Sequence, residues 1–198
     1  MNNKVKIGII NGIGLILIDI LMGILLILRM NFSHQNIYFL VLQIAYLILT
    51  LYIWANLRYI LAFHFRLADL KKNLYWIVRG LSFLIGVSIF YLLMSKKGSY
   101  FLIMVTDMFL FIFYLIMYKK IFELNKSDLN TVNELHSFFL SAIICSIFVI
   151  LLFMVNPFLS QRKFDYISYF LRAIPIIILV IFFKHVNRDI QKDIYASA

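Results

Sequence analysis

Four ionisable side chains interrupt long apolar runs: Asp19 in LILIDIL, Arg79 in WIVRGL, Asp107 in IMVTDMF and Arg172 in YFLRAI. A charge held in apolar surroundings is costly, so each is a functional candidate by default. The chemistry open to them is ion pairing and proton exchange. An acid facing a base forms a pair, and an acid left without a cation can take up and release a proton.

Helical geometry, at 100° and 1.5 Å per residue, assigns each charge to a face. Asp19 shares a face with Gly8, Gly12 and Gly23, all within about 60° of one another. Small residues let a neighbouring backbone approach closely, so this face is expected to pack on protein, with Gly8-x-x-x-Gly12 as its simplest contact motif. Asp107 lies within about 20° of Tyr100, Tyr114 and Tyr118. Tyr100 and Tyr118 stand where interfacial aromatic belts occur, whereas Tyr114 is deeper and can donate to the acid. Arg172 aligns with Asp165 and Ser168, and Pro175 three residues later removes a backbone donor, which favours a kink. Arg79 stands near the end of its apolar run, where its long stem can carry the charge outward to water.

Depth sorts these groups further. Asp19, Asp107 and Arg172 lie about 14, 12 and 10 Å from one end of their helices, so they share a layer. Arg79 belongs to the other half. Two acids and one base at one level leave one acid without a fixed cation. The closer depth match and the tyrosine face select Asp107 as the partner of Arg172, with Asp19 as the acid that remains. Weaker polar groups fall on faces as well: Gln43 and Thr50 with Trp54, and Ser141 with Cys145 and Asn156. Amides and hydroxyls in such places commonly bridge helices.

Positioning these groups requires long helices. Six windows of about 20 mostly apolar residues, each enough for one span, cover roughly 7–28, 37–57, 74–94, 99–118, 136–156 and 166–184. Short polar connectors separate them. Their continuous apolar runs do not alternate as barrel strands do. The first window contains Asp19, exceeds the length of a signal-peptide core and lacks a small-x-small cleavage site, so it is expected to persist as a helix. The connector RYILAFHFRLADLKKN, residues 58–73, mixes apolar and basic residues. It either prolongs the second helix or lies along the interface.

Composition agrees with this picture. Of 198 residues, 64% are hydrophobic and only 14% charged, and the mean hydropathy is +0.94. Soluble chains are nearer half apolar and a quarter charged, and a domain of this size cannot bury the excess. A soluble enzyme, a DNA-binding module and a disordered chain are therefore excluded. The expected fold is all-α: a polytopic integral membrane protein, one membrane domain over residues 1–198, built as a bundle of six transmembrane helices without a soluble domain. The net charge of +10 is assigned to anionic lipid headgroups rather than nucleic acid. Twelve Lys and Arg fall on the side of both termini, among them Lys4, Arg58, Lys72, Lys119 and Arg188. Five fall on the other: Arg29, Lys96, Lys97, Arg162 and Lys163. That bias places both termini in the cytoplasm.

Motif searches find no H-E-x-x-H, G-x-S-x-G, P-loop or dinucleotide fingerprint. His136 and Cys145, nine residues apart, point to opposite sides of one helix. His34, His64, His136 and His185 form no ligand spacing. A single cysteine excludes an internal disulfide. No enzyme activity, cofactor or metal is expected. An inverted three-plus-three repeat would pair Asp19 with Asp107, Arg79 with Arg172 and Asn56 with Asn156, but the offsets drift from 88 through 93 to 100. Two functions remain. One is a small permease, or the membrane subunit of a transporter, for a small solute or ion, with an ATPase as a possible partner at the cytosolic connectors. The other is a non-catalytic membrane sensor, regulator or immunity protein acting through contacts with another membrane protein.

Overall fold

The computed structural model describes residues 2–27, 37–63, 68–95, 100–124, 130–155 and 165–196, and each segment is one helix. In chain order these are α1 (Asn2–Ile27), α2 (Ile37–Phe63), α3 (Ala68–Ser95), α4 (Tyr100–Leu124), α5 (Asn130–Val155) and α6 (Asp165–Ala196). No strand occurs among the described residues. Arg29, His34, His64, Arg66, Lys96, Lys97, Lys126, Asn156, Arg162 and Lys163 lie outside them, as do the side chains of Tyr100 and Asp165.

The helices outrun the apolar windows. α2 continues past residue 57 to Phe63, and α3 begins at Ala68 rather than 74. The cause is packing: Leu57, Ile60 and Leu61 are buried together with Leu70, Leu74 and Ile77. The apolar residues of this connector therefore extend a hairpin core at both its ends, and do not form a separate surface helix among the described residues. α5 likewise starts six residues early, at Asn130, and α6 runs to Ala196. Pro175 does not end α6, which is helical on both sides of it.

Contacts at glycine fix the direction of neighbouring helices. Gly8 faces Phe183, Gly12 faces Val180 and Gly23 faces Phe170, so α1 and α6 run antiparallel along the glycine face. Gly14 lies against Leu49 and Lys4 stands over the Tyr59 ring at 6.0 Å, which makes α1 and α2 antiparallel too. α1–α6 is the most extensive interface. α1–α2, α2–α3, α4–α5 and α5–α6 follow, and α3 meets α4 sparsely, where Gly80 admits the Phe109 ring. The six helices close into a ring in chain order, with both termini at one end.

This packing opposes an inverted repeat. Exchange of the two halves would map the α1–α6 interface onto α4–α3, yet one is the largest contact and the other is sparse among the described residues. Counted over the described residues, five helices are long and apolar enough to cross a membrane. Large apolar side chains also cover the outside of the ring, Met94 at 73% and Phe83 at 71% exposed among them, with Ile10, Leu17 and Ile112 on other helices.

Candidate functional site

At mid-bundle the ring interior turns polar. Arg172 of α6 donates from Nη2 to Oδ2 of Asp107 on α4, and the two side chains are 13% and 14% exposed. The guanidinium also stands over the Tyr169 ring, 5.0 Å from its centroid and one turn back along α6. Asp19 of α1 is wholly buried, and neither carboxyl oxygen has a hydrogen-bond partner. It lies within electrostatic reach of both Arg172 and Asp107. The glycine face explains how it comes there. Gly8, Gly12 and Gly23 seat α1 tightly on α6, and the same face brings Asp19 to the level of Arg172.

Two cavities flank this layer. The larger, about 50 Å³, is lined by Tyr46 and Thr50 of α2, Tyr114 of α4, and Cys145 and Ser146 of α5. The smaller, about 10 Å³, lies among Met22, Gln43, Thr106 and Tyr169. Tyr46, Asp107 and Arg172 line both cavities and so form the partition between them. Along α1, Leu15 lines the larger cavity and Met22 the smaller, which puts Asp19 at the level of the partition. At roughly 10–15 Å³ for one water, the larger cavity has room for about four.

Aromatic packing closes the larger cavity toward the terminal end. The Trp54 ring meets Phe113, Tyr114, Phe138 and Phe139 with centroids 5.2 to 6.0 Å apart. Such an array is rigid, because each ring restricts the tilt of the next. The Thr50 hydroxyl is satisfied locally, donating to the Tyr46 carbonyl at 2.8 Å. The Gln43 Oε1 and the Arg172 Nε have no partner.

Other sequence candidates lie elsewhere. Arg79 is exposed near the terminal end and caps Tyr75 and Trp76 at 4.4 and 5.8 Å. Arg58 of α2 stands over the same Tyr75 ring at 5.0 Å, so the basic pair ties α2 to α3. Tyr118 packs on His136 at 4.7 Å; this histidine lies inside α5 rather than at a helix boundary. Ser141 donates to the Phe138 carbonyl at 2.8 Å, and Ser146, not Ser141, reaches the cavity. Groups of three or more His, Cys, Asp or Glu placed to hold a metal are absent among the described residues.

Sequence reasoning missed two features. Tyr46 completes the partition, and its signal was the spacing Gln43, Tyr46, Thr50, which puts all three on one face. Glu134 Oε1 meets His185 Nδ1 between α5 and α6 near the terminal end; both lie just outside the apolar windows 136–156 and 166–184. Comparison with protein-family models, curated proteins and solved structures finds no match to this chain.

Proposed function

We propose that the chain is an integral membrane protein with six transmembrane helices and both termini in the cytoplasm, and that it moves a small solute or ion through the ring interior. Support for membrane insertion comes from the apolar exterior on all sides, of a kind that marks membrane contact rather than scattered surface residues. Support for transport comes chiefly from one observation: the charged partition of Asp107 and Arg172, with unpartnered Asp19 beside it, separates two cavities on the bundle axis. Ionisable groups facing a bundle interior are the usual furniture of ion and proton paths. The size of the larger cavity limits the cargo to an ion or a solute of a few heavy atoms.

Cys145 supplies the test, because it lines the larger cavity and is the sole cysteine of the chain. Purified protein in vesicles is assayed for uptake of monovalent cations, small carboxylates and small amino acids. A bulky maleimide on Cys145 is expected to abolish the flux, and Cys145→Ser is expected to be immune to it. Flux that is equal with and without modification, or no flux of any probe, defeats the transport reading. The alternative, a contact-driven sensor, regulator or immunity protein, would draw support from a glycine face open to a partner helix. Gly8, Gly12 and Gly23 are occupied by α6, which removes that support.

A further inference from the structure

The partition holds two acids, Asp19 and Asp107, and one cation, Arg172. Asp107 engages the Nη2 of Arg172. Asp19 has two unpartnered oxygens at 0% exposure, and Gln43, 6% exposed, has an unpartnered Oε1 on the smaller cavity. The two belong to one level. α1 and α2 run antiparallel with Gly14 against Leu49, so the α2 residues beside Asp19 are those around 43 to 45. The Arg172 Nε stands in the same layer without a hydrogen-bond partner. Buried polar groups left unpaired are expensive, and a buried carboxylate without a cation more so.

We propose that Asp19, together with the Gln43 carboxamide oxygen, binds a single monovalent positive charge, a proton or a small alkali cation, in the partition between the two cavities. A proton on Asp19 removes the surplus charge and turns one acceptor into a donor. An alkali cation removes the same charge and takes oxygen ligands, as hard cations do. The titratable groups within electrostatic reach of Asp19 are Arg172 of α6, Tyr46 of α2, and Asp107 and Tyr114 of α4, and Tyr169 stands against Arg172. α5 offers Cys145 and Ser146 to the neighbouring cavity. Arg172 is the one cation among these, and Asp107 already holds it. Release of the bound charge leaves two acids in competition for Arg172, and the guanidinium is the group that moves. Because Arg172 lines both cavities, that movement alters the partition itself. The inference deepens the transport reading and rests on it for the membrane setting, but the binding assay requires no flux, so the two fail separately.

The test uses the full-length protein in detergent or nanodiscs. Infrared difference spectra are recorded across a pH titration, and again with sodium chloride exchanged for choline chloride at constant ionic strength. A protonated-carboxyl stretch that titrates, survives in Asp107→Asn and is lost in Asp19→Asn supports the proposal with a proton as ligand. Bleaching of that band by sodium, with a sodium-dependent rise in melting temperature that Asp19→Asn loses, supports it with an alkali cation. Should Asp19→Asn fail to fold, Gln43→Leu keeps the acid and is expected to shift the band or weaken the sodium effect. Wild-type protein that shows no titrating carboxyl band and melts alike in sodium and choline overturns the proposal without any variant.

Discussion

Asp107 and Arg172 stand 65 positions apart in the chain, and their pairing sets a quantitative expectation. Removal of one partner leaves an uncompensated charge, which costs about 3–5 kcal/mol in buried settings. Asp107→Asn and Arg172→Gln are each expected to lower the melting temperature in detergent, and the double variant should lose less than the sum of the two. Additive losses would mean that the pair is not coupled. Glu134→Gln serves as a control, because its bridge to His185 is 34–45% exposed and exposed pairs contribute about 0–1 kcal/mol. Matching of depth along the helices already put Asp107 and Arg172 at one level, because helical rise converts position into height. Tyr46 was not legible in the same way. Spacing within α2 puts it on the face of Gln43 and Thr50, but its place on the partition depends on which helices stand next to that face.

The glycine face of α1 acts at the scale of the element. A Cβ added at Gly12 would strike Val180, whereas one at Gly86 would meet open space. Overpacking of a tight contact costs about 1–3 kcal/mol. Gly12→Leu is therefore expected to lower the melting temperature clearly and Gly86→Leu to leave it nearly unchanged. Equal small effects would mean that α1 is not seated on α6 as described. The face itself could be read from helical periodicity, but its occupant could not, since Val180 and Phe183 look like any apolar residues of a long run. Helix length was legible only in part. Hydropathy falls at residue 57, but the helix follows the packing of Leu57, Ile60 and Leu61 on the next helix and ends later.

At the scale of the molecule, the ring brings the start of α1 and the end of α6 together, and among the described residues Lys4, Arg58, Lys72, Lys119 and Arg188 lie toward that end. Reporter fusions after Gly98 and at the C-terminus are expected to show opposite sidedness, and the same sidedness would defeat the six-span topology. Six helices could be counted from composition alone. The closure of α1 on α6 could not, because apolar helices carry few marks of partner choice.

That closure also dictates an order of biosynthesis. The largest interface joins the first helix to the last, and Arg172 is the sole cation paired with Asp107 among the described contacts. In a growing chain, Asp19, Asp107 and the glycine groove of α1 stay without their α6 partners until α6 is made. A ribosome stalled after Val155 would leave an open five-helix horseshoe with two orphan acids. Such a species exposes the polar layer and the glycine face that α6 covers in the complete bundle.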